Sequence, residues 1–466
     1  MDGKQILALG YEPGPVVAAA LVASNNSDEP VEVVEARLAA VLDAPEDFVE
    51  DGEYGEVARL LVERQEREAA KPDGPGLRDE PVPYRQWGDD LEPQSVEQMR
   101  QAVRSPVAVR GALMPDAHLG YGLPIGGVLA TRGAVIPYAV GVDIACRMRL
   151  SVYDVPGKQL DGMREKLGKI LERETAFGIG AQLKKQADHE VMERDWSITD
   201  VTKDAQRNAA KQLGSSGSGN HFVEFGTLTL DHDDLGLPAG TYLALLSHSG
   251  SRGAGAKVCA HYSKLAMNAC PQLEGQAKNL AWLDLDSEAG AEYWAAMNLM
   301  GAYAAANHEV IHDRVARALG EKVAAHVENH HNFAWKETHD GEEVIVHRKG
   351  ATPAGRGVLG VIPGSMATPG YVVRGLGSAA SLNSASHGAG RVMSRTKAKN
   401  SFRWSHVKQQ LADAGITLLS AGIDENPRVY KDIETVMAQQ TDLVERVARF
   451  DPKVVKMADG KDRAED

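Results

Sequence analysis

The chain has 466 residues, of which 43% are hydrophobic and 25% charged, the ordinary balance of a folded protein with one large domain or a few smaller ones. Its formal net charge of −14 argues against indiscriminate coating of nucleic acid, although a local basic groove remains compatible with it. No apolar run is long enough to span a bilayer, and the N-terminus lacks the basic start and apolar core of a signal peptide. Three cysteines do not make a disulfide framework, so we expect a reducing, cytoplasmic setting away from membranes.

Residues 1–75 differ in texture from the rest of the chain. Residues 30–44 and 53–70 carry apolar side chains at helical spacing, with charged residues between them, which predicts helices. Residues 71–83 are rich in proline, glycine and charge, as is typical of a linker. We therefore expect residues 1–75 to form a small helical appendage and linker of unknown role, followed by a second domain over residues 84–460.

From residue 84 onward, short apolar runs alternate with glycine-rich loops, and longer stretches show helical spacing. The predicted elements are a buried strand over 134–140, a mostly helical stretch over 157–213, a strand over 241–247, a long helix over 291–326 and a final helix at about 431–448. The sum predicts a mixed α/β fold whose loops carry the functional residues.

The octet GVDIACRM at residues 141–148 places Asp143 and Cys146 three residues apart where the first predicted strand ends. A carboxylate and a thiolate held this close can share a metal site or bridge a pair of metals. Taken alone, the octet is better explained by a capping aspartate and a buried, inert cysteine. Histidines elsewhere in the chain reverse that preference.

Six further segments place histidines beside glycines, amides or cations. They contain Asp116 and His118; Asn220, His221 and Glu224 after the turn 214–219; His248; His330, His331 and Asn332; His347, Arg348 and Lys349; and His387 with Gly388, Gly390, Arg391 and Arg395. The glycine-serine turn lets backbone approach a phosphate, but no lysine ends it as in a P-loop. Flexible turns, half-buried histidines and solvated basic loops explain each segment when it is taken singly.

Two kinds of chemistry unite these segments. One carboxylate, one thiolate and several imidazoles suit zinc or manganese better than magnesium, and spacing does not choose between the first two. A histidine nucleophile followed by phosphate-binding arginines is coherent, and a helix would place Arg391 and Arg395 on one side. Asp116 and His118 are candidates to support the site from behind.

Eight motifs, in chain order, resemble the RtcB family of tRNA-splicing RNA ligases over about residues 84–456. They are PDAHLGYGLPIGG, AVGVDIACRM, GSGNHFVE, SHSGSRG, HHNFAWKE, HRKGAT, PGSM and LNSASHGAGRVMSR. The resemblance implies an enzyme that joins RNA 2′,3′-cyclic phosphate or 3′-phosphate ends to 5′-hydroxyl ends through a histidine–GMP intermediate, in tRNA splicing or RNA repair. It implies an α/β (α+β) core of β-sheets flanked by helices around a central metal cleft. GTP and two Mn²⁺ ions per active site are the implied cofactors. Cleaved tRNA halves or damaged RNA ends are the implied partners, and a protein activator is a further candidate. The resemblance leaves the oligomeric state open.

The family's functional residues carry over onto the matching motifs. The metal ligands fall on Asp143, Cys146, His221, His248 and His331, with Cys146 shared by both metals, and the guanylylated histidine falls on His387. The GTP contacts fall on Asn220, His221, Phe222, Val223, Glu224, His331, Asn332, Pro363, Gly364, Ser365, Met366, His387, Gly388, Ala389, Gly390, Tyr430 and Lys456. The residues that would hold RNA phosphate are Lys349, Arg391 and Arg395.

Several positions depart from the family pattern, as in a divergent paralogue. Ala145 and Arg147 stand where glycines are usual, Pro353 replaces an arginine and Gly370 a serine, and a tail follows Lys456. Two alternatives therefore stay open beside the ligase. One is a metal-dependent cyclic phosphoesterase that cannot ligate, and the other is a non-catalytic protein that binds RNA ends.

Overall fold

Two units make up the chain in the computed structural model, Met1–Gly74 and Pro75–Asp466. The residues that the structure describes are 1–12, 14–27, 29–69 and 76–461. Positions 71–75 of the predicted linker therefore lie outside the described residues. Within the described ranges, no helix combines the length and the apolar character that crossing a bilayer requires.

The smaller unit is helical, as its sequence predicts. Its helices are α1 (Gly3–Ala8), α2 (Pro15–Asn26), α3 (Val31–Asp43) and α4 (Gly55–Ala69). α3 and α4 confirm the two amphipathic patterns, whereas α1 and α2 escaped prediction because α1 is short and α2 is apolar on most sides. Buried side chains such as Ile6, Leu38 and Val57 give this unit a core of its own.

The larger unit combines strands and helices, which confirms the mixed α/β class. Its described strands are β1 (Tyr84–Gln86), β2 (Ala108–His118), β3 (Ile125–Thr131), β4 (Ala134–Val135), β5 (Arg147–Pro156), β6 (Phe222–Leu230), β7 (Gly240–Ser249), β8 (Leu283–Asp284), β9 (Val323–His330), β10 (Asn332–His339), β11 (Glu342–Lys349), β12 (Ala351–Pro353), β13 (Leu359–Ile362), β14 (Gly370–Gly375), β15 (Ser384–Ser386), β16 (Thr417–Ser420) and β17 (Val444–Met457). Its described α-helices are α5 (Pro93–Ala102), α6 (Pro137–Val140), α7 (Leu160–Glu174), α8 (Asp200–Gln212), α9 (Arg252–Ala269), α10 (Glu288–Leu319), α11 (Arg395–Ser401), α12 (Trp404–Asp413) and α13 (Ile433–Ala438).

The largest sheet has the strand order β13-β14-β17-β6-β7-β5-β9, with β16 added beside β17. The main-chain N–H of Val361 on β13 donates to Asn329 Oδ1 on β9 at 2.8 Å, so the two ends of the sheet meet and nearly close it. Apolar side chains such as Leu246 and Phe450 form one core, and α7 and α10 pack on the other face. The site lies at one rim of this curled sheet.

At that rim, β5 and β6 begin while β7 and β9 end. Phe222 lies opposite His248, and Arg147 lies opposite both Ser249 and His330. Because antiparallel neighbours place strand starts beside strand ends, side chains at these four positions must converge. A second sheet, in the order β1-β2-β3-β11-β10, and the ribbon of β12 with β15 bring further residues to the same place.

The strand predicted over 134–140 is wrong after Val135, because α6 starts at Pro137. Proline cannot donate to a ladder, and its fixed φ suits the first turn of a helix. The final helix predicted at about 431–448 is wrong after Ala438, since residues from Val444 onward form β17. The apolar residues of β17 follow the alternating burial of a strand rather than the spacing of a helix.

Two helical predictions are confirmed only in part. The stretch 157–213 contains α7 and α8, but much of the chain between them is irregular or in a short 3₁₀ turn. The long helix α10 ends at Gly320, whose φ of 82° forms a left-handed cap, so residues predicted helical beyond it start β9 instead.

The predicted linker ends earlier than residue 83. The main-chain N–H groups of Arg78 and Val82 donate to the carbonyls of Arg104 and Val103 at 2.7 and 2.9 Å, so this segment belongs to the larger unit. We therefore expect a chain beginning at Gly76 to fold cooperatively without the smaller unit. A chain beginning at Pro81 should lose the Arg78 contacts and about 1–3 kcal/mol of unfolding free energy. Urea denaturation of both chains measures this, and a Gly76 chain without a cooperative transition would contradict the boundary.

Candidate active site

Five predicted metal ligands meet at the rim of the large sheet. Cys146 Sγ lies 3.1 Å from His248 Nε2 and 3.4 Å from His221 Nε2. His331 Nε2 is 3.2 Å from His248 Nε2, and Asp143 Oδ2 is 3.2 Å from His221 Nε2. All five side chains are buried. Cys146, His221 and His248 lie close enough together to hold one metal ion. We expect the five side chains to form two donor sets that share Cys146, one with Asp143 and His221 and the other with His248 and His331.

The surrounding backbone orients the ligand atoms inward. His221 Nδ1–H donates to the Ser216 carbonyl at 2.8 Å, and His248 Nδ1–H to the Asn220 carbonyl at 3.3 Å. Each Nε2 therefore turns its lone pair to the cluster, as in metal-binding histidines. Arg252 Nη1 is also 3.1 Å from His221 Nδ1. The Ser216 carbonyl can only accept a hydrogen bond, so this carbonyl fixes the His221 tautomer that carries its proton on Nδ1.

The protonation states suit a metal. Burial lowers the pKa of His248 to about 3 and that of His331 well below its usual value, so both rings are neutral, the form that can bind a metal. Burial opposes ionisation of Asp143, but neighbouring groups, the Arg252 guanidinium among them, lower the pKa of this carboxyl. Among the described residues, Asp143 Oδ2 and His331 Nδ1 are buried without a hydrogen-bond partner. A borderline divalent cation fits this donor set.

A fourth histidine faces the cluster. His387 follows β15, and its ring centroid lies 5.1 Å from that of His331. Its Nδ1–H donates to Asp116 Oδ2 at 2.7 Å, and the same oxygen accepts the main-chain N–H of His387 and of Gly388. Asp116 is completely buried. The predicted supporting role of Asp116 is thus exerted on His387, whose Nε2 is left with its lone pair for a reaction.

One cleft of about 450 Å³ contains the cluster and His387. It is also lined by most of the other predicted residues, namely Lys349, Asn220, Phe222, Glu224, Asn332, Pro363, Gly364, Ser365, Met366, Gly388, Ala389, Gly390, Arg391, Arg395 and Tyr430. Burial raises the pKa of Glu224 to about 8, so this cleft wall offers a protonated carboxyl that can donate a hydrogen bond.

Val223 and Lys456 do not line the cleft. They pair across β6 and β17, and their side chains leave the face that Phe222 and Met457 present to the cleft. Lys456 Nζ instead donates to the carbonyls of Leu171 at 3.0 Å and Thr175 at 3.2 Å. Their predicted contact with a nucleotide therefore gains no support from their positions.

The three predicted phosphate ligands are already engaged within the protein. Lys349 Nζ donates to the carbonyls of Tyr121 and Tyr138 at 2.6 and 2.9 Å, and burial lowers its pKa to about 8. Arg391 and Arg395 do not share a helix, because α11 starts only at Arg395. Both arginines nevertheless converge on Glu425, a buried carboxylate that sequence reasoning missed.

The departures from the family pattern have local explanations. Ala145 adopts a φ of 60°, a left-handed conformation that glycine enters freely and that costs alanine about 1 kcal/mol. Arg147 is buried but donates to the Gly301 carbonyl and lies 3.6 Å from Glu328. A Cβ at Gly370 would come within 3.1 Å of Pro363 Cα, so this wall of the cleft leaves little room for a serine.

Sequence reasoning also missed Ser251 and Arg252. Ser251 donates to Asp143 Oδ1 from its main-chain N–H at 2.9 Å and from its hydroxyl at 3.2 Å. That contact turns the other carboxylate oxygen toward the cluster. Both residues lie in the SGSRG turn directly after His248, which was the available signal.

Fold and site together define a protein with a buried cysteine–histidine cluster facing a carboxylate-paired histidine in one cleft. Residues 98–457 match the sequence model of the family described as tRNA-splicing ligase RtcB. The RNA-splicing ligase RtcB of Escherichia coli K12 is 34% identical over 401 residues, which cover 79% of this chain and 96% of that protein. The RNA-splicing ligase RtcB of Mycobacterium tuberculosis H37Rv is 31% identical over 412 residues, which cover 73% of this chain and 94% of that protein. The tRNA-splicing ligase RtcB of Methanococcus maripaludis is 29% identical over 440 residues, which cover 78% of this chain and 91% of that protein. The chain belongs to the RtcB family, which confirms the resemblance of its motifs.

Proposed function

We propose that this protein is a GTP- and Mn²⁺-dependent RNA ligase of tRNA splicing or RNA repair. It joins RNA 2′,3′-cyclic phosphate or 3′-phosphate ends to 5′-hydroxyl ends. The observation that carries the proposal is the hydrogen bond between His387 and the buried Asp116, which aims a ring nitrogen into the cleft beside the Cys146 cluster. A histidine so held is a nucleophile for phosphorus, and the cluster supplies ligands for metal ions.

The first step uses His387 and GTP. His387 Nε2 attacks the α-phosphorus, so that a nitrogen–phosphorus bond forms and the bond to pyrophosphate breaks. Asp116 accepts the Nδ1–H throughout and stabilises the positive charge that develops on the ring. Two Mn²⁺ ions would be held by Asp143, Cys146, His221, His248 and His331. When bound, they would supply polarisation of the phosphate oxygens.

Two transfers complete the ligation. An oxygen of the RNA 3′-phosphate attacks the phosphorus on His387, so that GMP moves to the RNA end and the ring is released. The 5′-hydroxyl of the second strand then attacks the RNA phosphate and displaces GMP. A cyclic phosphate end would first be opened by water. Arg391 and Arg395, at the cleft wall, are placed to hold the incoming phosphate once it competes with Glu425.

Two synthetic RNA strands test the proposal, one ending in a 2′,3′-cyclic phosphate and the other starting with a 5′-hydroxyl. Incubation with the protein, GTP and Mn²⁺ should yield a joined strand, and omission of either GTP or Mn²⁺ should prevent it. Opening of the cyclic end without joining would instead identify a phosphoesterase. Binding of the ends without any chemistry would identify a capture protein.

Asp116→Asn should slow formation of the His387–GMP adduct by roughly 10²–10⁴-fold, because asparagine can reverse the hydrogen bond and lacks the compensating charge. The fold and the metal content should be retained, since Asp116 contacts no metal ligand. Single-turnover adduct formation with labelled GTP measures the effect. A normal rate in this variant would show that Asp116 does not position the nucleophile.

Arg391→Ala and Arg395→Ala should spare adduct formation and slow its discharge to RNA. Each lost charge-assisted contact should cost about 1.5–3 kcal/mol, or roughly one to two decades in the transfer rate. Lysine at either position should restore the transfer rate only partly, because lysine lacks the planar fork of N–H donors that the arginine guanidinium presents to phosphate. Measuring formation and discharge in one preparation decides the matter. Equal loss of both steps, with lower stability, would mean that the arginines only brace Glu425 and α11.

A further inference from the structure

A basic surface leads away from the cleft along α11 and α12. Residues 391–412 contain six lysine or arginine side chains and no aspartate or glutamate, in a chain whose net charge is −14. Arg395 lines the cleft, whereas Arg403 and Lys408 are exposed farther along. We call residues 395–408 with Arg428 the basic ridge. Such a local excess of positive charge indicates an anionic partner.

A second pocket, of about 200 Å³, opens on the basic ridge. Arg403, Arg428, His406, Asn426 and Phe402 are among its lining residues. Asn426 is only 2% exposed, and its Oδ1 accepts the main-chain N–H of Arg428 at 3.0 Å, which leaves its amide N–H groups as donors. Cations and an amide donor suit a phosphate, and an aromatic ring offers a face on which a base can stack.

The cations of this pocket differ from those of the cleft. Arg391 and Arg395 are paired with two buried carboxylates, Asp424 and Glu425. In the part of the chain that the structure describes, no carboxylate lies within ion-pair distance of Arg403 or Arg428. Their charges are therefore available to a ligand without displacement of a protein group.

Cleft and pocket share two segments of chain. α11 begins with Arg395 in the cleft and ends with Ser401 in the pocket, and its seven residues span about 10 Å. Glu425 lines the cleft and the next residue, Asn426, lines the pocket. A single strand whose end lies in the cleft can thus pass directly over the second pocket.

We propose that the pocket on the basic ridge binds the RNA strand whose 3′-phosphate enters the cleft, holding a backbone phosphate and a base inward from that end. This inference rests on the proposed ligase function and adds a site for the body of the substrate strand. Recognition through phosphate charge and base stacking would be tolerant of sequence, as a ligase for varied ends requires.

Fluorescence anisotropy tests whether the pocket binds RNA. It measures the binding of a single-stranded RNA oligonucleotide with a 3′-phosphate at several salt concentrations. The Mn²⁺-loaded full chain carrying Arg403→Ala and Arg428→Ala should bind roughly tenfold more weakly than wild type, with a salt slope shallower by about one to two. Formation of the His387–GMP adduct should be unchanged. Arg317→Ala, which removes an exposed arginine near the end of α10, is the matched control and should alter neither quantity.

Discharge of the adduct to a 3′-phosphorylated mononucleotide distinguishes the contribution of the basic ridge from that of the cleft. So short an acceptor can enter the cleft but cannot reach the pocket on the ridge. The double variant should discharge to it normally and discharge to the oligonucleotide slowly. Wild-type binding and salt slope in the double variant would overturn the proposal, as would equal defects with both acceptors. If the alanine variant does not unfold cooperatively, Arg403→Gln with Arg428→Gln removes the same charges. Absence of any adduct in wild type would refute the ligase function, whereas the binding measurement would still report on the ridge.

Discussion

Replacing His387 with alanine is expected to abolish both adduct formation and ligation, by at least about four orders of magnitude. No other histidine in the described part of the cleft has its Nδ1 held by a buried carboxylate while its Nε2 remains for attack. His387 belongs to neither donor set of the cluster, so manganese content measured by elemental analysis should stay at the wild-type level.

The matched control for this variant is His232→Ala, an exposed histidine in the turn between β6 and β7. It should ligate as wild type does. Ligation at more than a hundredth of the wild-type rate in the His387 variant would mean that another residue is the nucleophile. Loss of manganese in that variant would mean that the ring also holds a metal, and the assignment of roles would have to change.

Replacing Cys146 with alanine is expected to empty both metal positions and to stop all chemistry. Its Sγ lies 3.1 Å from His248 Nε2 and 3.4 Å from His221 Nε2, so we expect this one sulfur to serve both metal positions. A bridging anion also offsets the repulsion between two adjacent cations. Elemental analysis should find close to no manganese, and adduct formation and ligation should be lost together.

Cys259 provides a matched control, because it is a buried cysteine within α9 and outside the cluster. Cys259→Ala should cost some stability through lost packing but should keep manganese and activity. A Cys146 variant that retains one manganese per chain would show that the thiolate serves a single position. Full occupancy would remove Cys146 from the ligand set.

The residue types that meet in the cleft could be predicted from local sequence, since Asp143, Cys146 and the histidines stand in motifs that resemble those of the family. Their convergence could not, because it depends on the register that sets β5, β6, β7 and β9 side by side. No spacing along the chain encodes that arrangement. The pairing of Asp116 with His387 likewise joins residues 271 positions apart.

Neither a motif nor a spacing pattern fixes where a side chain points in the fold. A motif match carries a residue type to a position but not the direction of its side chain. Lys456 illustrates this, because alternation along β17 turns it from the cleft to the carbonyls that end α7. The helix predicted at about 431–448 is wrong at residues 444–448 for a similar reason. There, burial on alternate sides of a strand supplies apolar residues at intervals that also fit a helix.

Intact-protein mass spectrometry after incubation with GTP and Mn²⁺, followed by peptide mapping, tests directly whether His387 carries GMP. We expect a single added GMP that is labile to acid, located on His387, absent from His387→Ala and released when RNA with a 3′-phosphate is supplied. A GMP group on any other residue, or ligation of RNA by a protein that never carries the adduct, would contradict this expectation.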